Sequence, residues 1–202
     1  MNELERFTHV FAFQAPPARM IRIAAAVALL FATPAPAQQL TPTPGCTVPL
    51  PTSIGWVNDF AGVLADSTEA RLTEVITEVQ ERSLGEIVVV TLPSLYGCTD
   101  RDMAMRIGQE WGVGYEGPPE DPRTNSGVVV LVAPVEQKGR IATGLGTMQW
   151  MSDQDAGRIL INIMFPAYRS GDFDTGTLLG VQALARRYAD HFGFTLQSVP
   201  PQ

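Results

Sequence analysis

The residues of this sequence that could do chemistry are acids and amides placed beside predicted strands and helices. Asp59 precedes the first predicted helix, and Asn125 lies in the loop that enters a buried strand. Asp172 and Asp174 stand at the start of the last predicted helix. Carboxylate and amide oxygens are the ligands that Ca²⁺ prefers, and the ion takes about six to eight of them. The four residues are therefore predicted to hold a weak Ca²⁺ site, although the three acids also fit helix N-caps or a turn.

The sequence does not supply the residues that several other kinds of site need. The chain has two His and two Cys, so a four-ligand zinc site would need every one of them, and haem is equally unexpected. A serine hydrolase needs a His beside its Ser. His191 is the only His outside the N-terminal segment, and a position at a helix C-terminus explains it. Gly144 and Gly146 follow a strand but lack the third glycine of a dinucleotide-binding loop, so neither a nucleotide nor a flavin is expected.

The overall composition limits the partners. The 202 residues are 45% hydrophobic and 17% charged, with a formal net charge of −7. A chain of this length and apolar fraction is typical of one globular domain with appendages. Proteins that bind the phosphate backbone need a basic footprint. The acidic balance therefore argues against a nucleic-acid partner.

The N-terminal residues are typical of an export signal. A short basic start precedes a run of about ten apolar residues, and residues 35–37 form a small-x-small cleavage pattern. We therefore predict a signal peptide at 20–37 that is cleaved near Ala37. Translation from Met20 would make 1–19 a doubtful upstream segment, unless the n-region is unusually long. The apolar run is too short to span a bilayer, so we expect a periplasmic or secreted protein without a transmembrane anchor in the mature chain.

Two cysteines remain in the predicted mature chain. Cys46 lies in a segment rich in Pro and Thr, and Cys98 lies in a loop. In an oxidising compartment two cysteines most simply pair with each other. The alternative is a reactive thiol, but no His or Lys is near either residue in sequence. We predict a Cys46–Cys98 disulfide that ties the N-terminal segment to the domain.

Amphipathic helices alternate with apolar strands beyond this segment. Val- and Ile-rich runs at 86–92 and 127–133 are typical of strands buried on both faces, and a shorter strand is expected at 140–143. Helices are expected to begin near Asp66, Thr99, Ser152 and Asp172. The first of them resembles a capping box from Asp66 to Glu69. The alternation predicts an α/β fold, a single three-layer α/β/α sandwich with a mostly buried, mixed or parallel central sheet.

Several motifs, taken in order, resemble the TPM domain family. They are Trp56 to Leu64, Gly85 to Thr91, Glu110 to Gly114, Ser126 to Pro134, Ala156 to Ile159 and Pro166 to Asp174. The resemblance implies a three-layer exported or lumenal domain that binds Ca²⁺ in some members. It also implies links to photosystem II repair, with a proposed acid phosphatase activity, and to receptor accessory roles. The predicted organisation is 1–19 upstream, 20–37 signal peptide, 38–54 Pro/Thr-rich linker, 55–192 TPM-like domain and 193–202 C-terminal tail.

The sequence departs from the family where a catalytic metal site would need negative charge. Relatives usually carry Asp-Asn-Gly where this chain has Asn125 to Gly127, and acids where it has Ala142 and Met148. Missing carboxylates weaken both cation binding and the hold on a metal-bound water. We therefore expect a non-enzymatic interaction domain, and the alternative is a divalent-cation-dependent acid phosphatase.

The loop at 112–126, called the partner loop below, is the expected binding face. It is longer and richer in Pro than the connector that relatives carry, and it places an aromatic side chain beside acids. These residues are Tyr115, Glu116, Glu120 and Asp121. Loops on a rigid scaffold commonly carry binding residues. The expected partner is an envelope protein, and a plain spacer loop is the alternative.

Overall fold

Strands and helices alternate along the chain as the sequence predicts. The computed structural model describes residues 46–201. The predicted upstream segment 1–19, the signal peptide 20–37 and its cleavage site near Ala37 lie outside those residues. The elements are β1 Val57–Asp59, α1 Asp66–Ser83, β2 Glu86–Thr91, α2 Asp100–Glu110, β3 Gly127–Ala133, β4 Lys138–Thr143, α3 Asp153–Ile159, a π-helical segment Leu160–Met164, α4 Phe165–Tyr168 and α5 Phe173–Phe192.

Four strands form one sheet in the order β1-β2-β3-β4. The first three run parallel, with Asp59 opposite Thr91 and Glu86 opposite Gly127, and β4 is antiparallel to β3. The predicted α/β fold with a mixed, buried sheet is therefore confirmed. Below, the upper edge is the end at which the parallel strands finish, at Asp59 and Thr91. The lower edge is the end at which β2 and β3 begin, at Glu86 and Gly127.

The first strand is one that the sequence did not indicate. Its three residues are too few to show the alternation of apolar side chains that marks a strand. Pairing with β2 creates it: the Val89 N–H donates to the Trp56 carbonyl at 2.8 Å, and the Phe60 N–H donates to the Thr91 carbonyl at 3.1 Å. This local structure is imposed by a neighbouring strand, so the propensity of the segment itself does not reveal it.

Helices cover both faces of the sheet, which confirms the three-layer sandwich. On one face α1 and α5 bury Ile87 and Val89, and on the other α2 buries Val88 and Val90. The chain moves across the sheet in the same direction from β1 to β2 and from β2 to β3. The connecting helices α1 and α2 lie on opposite faces of the sheet, so the two crossover connections have opposite hands. One of the two is therefore left-handed, whereas about 98% of such connections are right-handed. Nothing in the helical or strand patterns could have predicted this exception.

All four predicted helix starts are confirmed, since helices begin at Asp66, Asp100, Asp153 and Phe173, but the predicted capping box is wrong. The side chains of Thr99 and Ser152 each accept a backbone hydrogen bond from the first turn that follows them. Helix α1, by contrast, follows Ala65, which has no side-chain oxygen to offer. The predicted box from Asp66 to Glu69 does not form because both acids lie inside the helix. The first turn of α1 is capped from elsewhere in the chain, as described below.

The predicted disulfide between Cys46 and Cys98 is present, with the two Cα atoms 4.9 Å apart. The Arg106 guanidinium donates to the Cys46 and Val48 carbonyls, each at 3.0 Å. The covalent bond and the guanidinium thus fasten the same short segment to α2. This part of the predicted linker is held against the domain.

The C-terminal segment predicted as a tail packs on α1. Val199 is buried in the core. The Glu78 carboxylate accepts hydrogen bonds from the N–H groups of Gln197, at 2.7 Å, and Ser198, at 2.8 Å. Within residues 46–201, no helix has the length and apolar character needed to cross a membrane.

Candidate functional site

Asp59 is the central side chain of the upper edge. Its Oδ1 accepts hydrogen bonds from the Val63 N–H at 3.2 Å and from the Thr91 hydroxyl. Its Oδ2 accepts one from the Leu64 N–H at 2.9 Å. Acids at turns commonly satisfy backbone N–H groups in this way. Asp59 therefore closes the turn that joins β1 to α1, the structural role that its sequence position also allowed.

Asp172 and Asp174 are helix caps. Asp172 Oδ1 accepts the Thr175 N–H at 2.9 Å, and hydrogen bonds from the backbone and side chain of Thr175 hold the pKa of Asp172 below its usual range. Asp174 Oδ1 accepts the Ala65 N–H at 2.8 Å. Asp174 thus supports the start of α1 from a different helix, which explains why α1 needs no capping box of its own. The structure brings Asp174 to the same turn that Asp59 closes.

Asn125 lies at the opposite edge of the sheet. It precedes Gly127, which is paired with Glu86 at the start of β2, whereas Asp59 is paired with Thr91 at the end of β2. The two ends of β2 are separated by about 16 Å, at about 3.3 Å per residue. A Ca²⁺ ion reaches its ligands at about 2.3–2.6 Å. The prediction that Asn125 shares a cation with Asp59 is therefore wrong.

The remaining acids do not form a dedicated cation cage. Both Asp59 oxygens, and one oxygen each of Asp172 and Asp174, accept hydrogen bonds from the protein. In the part of the chain that the structure describes, no three His, Cys, Asp or Glu side chains are grouped to hold a metal ion. The acids here also affect one another: burial, and then the charges of Asp59 and Asp66, raise the pKa of Glu69. Weak Ca²⁺ binding at the upper edge stays a prediction.

Asn58, the neighbour of Asp59, fixes the chain that leads into the sheet. Its side chain is fully buried, with 0% exposure. The side-chain oxygen accepts the Ile54 N–H and the amide donates to the Gly55 carbonyl, both at 2.8 Å. A buried amide with these partners is satisfied at both ends. Asn58 therefore holds the turn at residues 53–55 in one position.

The partner loop is ordered by contacts within itself. The backbone N–H and the Nε of Arg123 donate to Asp121 Oδ1 at 2.9 and 2.8 Å, and the side-chain hydrogen bond to Arg123 lowers the pKa of Asp121 to about 2. The Arg123 guanidinium lies 5.7 Å from the centre of the Tyr115 ring. Tyr115 and Asp121 thus shape the loop. Glu116 and Glu120 are exposed at its surface.

A cleft of about 220 Å³ opens at the lower edge, at the base of the partner loop. We call it the tryptophan cleft; it is lined by Ser53, Gly55, Trp56, Glu86, Val88, Trp111 and Val113. Glu86 Oε2 accepts the Gly114 N–H at 2.7 Å. Gly114 has a φ of +123°, which other residues rarely adopt, so a glycine lets the backbone turn toward Glu86. Sequence reasoning missed this cleft because its walls come from three separate stretches. The one available signal was an acid, Glu86, at the start of a buried strand.

One buried hydroxyl fixes the backbone at the lower edge. Tyr188 is fully buried, and its hydroxyl donates to the Ser126 carbonyl at 2.8 Å. Burial raises the pKa of Tyr188 far above its usual range. The ring packs on Gly85, where an added Cβ would lie 2.1 Å from a ring carbon. His191 stacks on Trp150 with ring centres 4.8 Å apart, so this histidine packs in an aromatic cluster near the end of α5.

A family model and several solved structures match the chain. The model of the TPM domain matches residues 57–187. The N-terminal domain of a protein from P. gingivalis is 25% identical, with a TM-score of 0.62 over 70% of this chain and 87% of that one. The N-terminal domain of the cg2496 protein from Corynebacterium glutamicum is 18% identical, with a TM-score of 0.53 over 75% of this chain and 89% of that one. The BA42 protein from Bizionia argentinensis is 19% identical, with a TM-score of 0.53 over 69% and 90%. No curated protein matches the chain.

Proposed function

The chain belongs to the TPM domain family, and from that premise we propose that it is a non-enzymatic domain that binds a protein partner outside the cytoplasm. The proposed binding face is the lower edge, with the partner loop at its centre. A family assignment alone does not specify a reaction, because one fold commonly serves several functions. The proposal therefore depends on what the side chains at the two edges can do.

The observation that carries the proposal is that the upper-edge acids already accept hydrogen bonds from the protein. Asp59 accepts three hydrogen bonds from the protein, two of them from backbone N–H groups. Asp172 and Asp174 cap helices. A metal-dependent phosphatase needs carboxylate oxygens that hold an ion and its activated water. Acids that already stabilise the fold are poor candidates for that role, which favours a binding domain over an enzyme.

The disulfide supports an extracytoplasmic site of action. Bonds of this kind form and persist in oxidising compartments, and they are rare in the cytosol. The bond between Cys46 and Cys98 ties the segment before β1 to the loop before α2. Export to the periplasm or beyond would supply the oxidation that this bond requires, in agreement with the predicted signal peptide.

The partner loop supports the choice of face. Its internal ion pair and its Arg123–Tyr115 contact hold it in one conformation. An ordered loop loses little conformational entropy when it binds. Glu116 and Glu120 stay exposed on it, and these two acids would face an envelope protein with a basic or polar surface.

Site-specific photo-crosslinking tests the proposed face. A photo-reactive residue at Glu120 is expected to capture a discrete envelope protein in intact cells. The same residue at Glu74, which is exposed on α1, is the matched control and is expected to give no such product. Equal capture from both positions would show that the partner loop is not the binding face.

Turnover of p-nitrophenyl phosphate tests the alternative function. We expect no turnover above background with either Ca²⁺ or Mg²⁺, since the upper-edge acids are committed to the fold. We also expect millimolar Ca²⁺ to shift the melting temperature by less than about 2 °C after EDTA treatment, as for a weak site. Turnover that requires the metal and disappears in Asp174→Asn would replace the proposal with the phosphatase.

A further inference from the structure

The tryptophan cleft is the concave site in which a carboxylate and two indoles meet. Val88 forms part of the lining and is 5% exposed, and Trp56 and Trp111 are partly buried beside it. Trp56 packs against the cores on both faces of the sheet, and Trp111 meets the Phe60 ring edge-on at 6.5 Å. Both indoles are therefore held in place by the fold. The cleft presents a rigid apolar lining with a single acid, Glu86.

Glu86 has unused capacity to accept a charged ligand. Its Oε2 accepts the Gly114 N–H, and among residues 46–201 no hydrogen bond reaches Oε1 and no Lys or Arg forms an ion pair with the carboxylate. Arg106 is engaged with Glu110 and with the Cys46 carbonyl. A partly buried carboxylate without a cation favours the approach of one. This distinguishes Glu86 from Asp59, both of whose oxygens accept hydrogen bonds.

The size and lining of the cleft select one basic side chain. Sites for whole drug-sized molecules measure about 300–1,000 Å³, so about 220 Å³ suits a single residue of a partner. A guanidinium stacks on aromatic rings and forms paired hydrogen bonds to a carboxylate, and it loses its hydration more easily than an ammonium group. The arrangement of Trp56, Trp111 and Glu86 matches these preferences.

We propose that the tryptophan cleft binds an arginine side chain of the partner protein. The guanidinium packs against the indole of Trp56 or Trp111 and donates to the free oxygen of Glu86. This inference rests on the proposed function, because it names the chemistry by which the partner is recognised. Asn58 is a positioning residue for the cleft, since it fixes the turn at residues 53–55 that forms one rim. The exposed acids of the partner loop lie on the same edge and add negative charge to the approach.

The test is a titration of the full, disulfide-bonded chain, labelled with ¹⁵N, with the peptide acetyl-Gly-Arg-Gly-amide. The expected result is a saturable shift of the Gly114 amide and of the indole N–H signals of Trp56 and Trp111. The same peptide with citrulline, which has the shape of arginine without its charge, is expected to bind at least about tenfold more weakly. The lysine peptide is expected to bind more weakly than the arginine peptide because it cannot stack.

Two variants localise the effect. Glu86→Gln retains an oxygen for the Gly114 N–H but removes the charge, and it should weaken binding of the arginine peptide about tenfold. Glu74→Gln removes an exposed charge on α1, outside both the cleft and the partner loop, and should leave the affinity within about twofold. Equal affinity for the arginine and citrulline peptides, or shifts that leave Gly114 unmoved, would overturn the inference whether or not the variants fold.

The outcomes also separate this inference from the proposed function. A crosslink from position 120 that persists unchanged in Glu86→Gln overturns the arginine cleft and leaves the partner face in place. The opposite outcome is also possible. If the arginine peptide binds at the cleft but crosslinking is equal from Glu120 and Glu74, the cleft is supported and the partner loop is overturned as the binding face.

Discussion

The upper and lower edges of the sheet both carry acids, but they use them differently. At the upper edge Asp59 receives hydrogen bonds on both oxygens, and Asp174 holds the start of a helix from another part of the chain. At the lower edge Glu86 receives one hydrogen bond, on one oxygen, and it lines the tryptophan cleft. The upper-edge acids stabilise the fold, whereas Glu86 remains available to a ligand.

This difference teaches which property of an acid indicates a binding site. Asp59 and Glu86 are both acids at a strand terminus in the structure, and a count of carboxylates would favour the upper edge. The number of lone pairs already satisfied by backbone N–H groups separates the two. Removal of an acid whose oxygens accept hydrogen bonds from the backbone lowers the stability of the fold. Removal of an acid that has a free oxygen is expected to weaken ligand binding instead. Stability and binding measurements can therefore test the comparison directly.

Removal of the disulfide should have the largest effect and should act mainly on the segment at residues 46–55, which leads from the bond to the cleft. The bond spans a sequence separation of 52 residues, for which the chain-entropy model gives about 4 kcal/mol of unfolding free energy. We expect Cys46→Ser combined with Cys98→Ser to lose about that amount in urea unfolding. Amide exchange should accelerate at residues 46–55, next to the cleft, more than at the start of α5. Reduced wild-type protein is the control and should behave like the double variant; equal acceleration at residues 46–55 and at the start of α5 would contradict this expectation.

The difference between the two edges is tested most directly by comparing the stabilities of Asp59→Ala and Glu86→Gln. Asp59→Ala leaves the Val63 and Leu64 N–H groups and the Thr91 hydroxyl without their acceptor, so we expect a loss of about 3 kcal/mol. Glu86→Gln keeps an acceptor for Gly114 and should change the free energy of unfolding by less than about 1 kcal/mol. Urea midpoints of the two variants provide the measurement. The reverse order of stabilities would show that the two edges have been assigned the wrong way round.

The sequence predicted the elements well because their signals are local. The solid Val and Ile runs of β2 and β3 indicate strands buried on both faces, and Thr99 and Ser152 mark helix starts by their own side chains. It did not predict β1, which forms only because β2 pairs with it, nor the hand of the crossovers. Capping of α1 by Asp174 lies beyond any local pattern as well, since the two residues in contact are 109 positions apart.

The candidate site was harder to predict for the same reason. The four predicted ligands share a residue type, but the fold places Asn125 at the lower edge and Asp59 at the upper edge. Tyr115 and Asp121 are predicted to face a partner, and the structure adds a role that the sequence did not indicate, because both contact Arg123 within the partner loop. Which edge a residue occupies depends on strand direction and register, and no short motif encodes either one.

Tyr188→Phe should have an intermediate effect confined to the lower edge. The variant removes the buried hydroxyl that satisfies the Ser126 carbonyl, and we expect a loss of about 1.5 kcal/mol. Amide exchange should rise at the start of β3 and leave the upper edge unchanged. Tyr96→Phe, at a tyrosine that is 60% exposed, is the matched control and should be neutral. A loss from Tyr188→Phe no larger than that of the control would show that the hydroxyl does not hold this edge.

The smallest predicted effect is a pH dependence of the upper edge. The hydrogen bonds from Thr175 depress the pKa of Asp172 in the folded state. The stabilisation by this cap is therefore fully present above the ordinary Asp pKa of about 3.9 and is lost as the pH falls through the lower folded value. The Thr175 amide signal should titrate below pH 3.9, and Asp172→Asn should abolish the transition. A midpoint at or above 3.9 would contradict the capping role.

The disulfide also determines how the domain responds to force. A load applied between residue 46 and the C-terminal segment passes from Cys46 through the sulfur–sulfur bond directly to Cys98. Residues 47–97, which contain β1, α1 and β2, form a closed covalent loop outside that path. The covalent path of the tension would therefore run through α2, β3, β4 and α5, and residues 47–97 would not be extended along the chain until the bond is reduced.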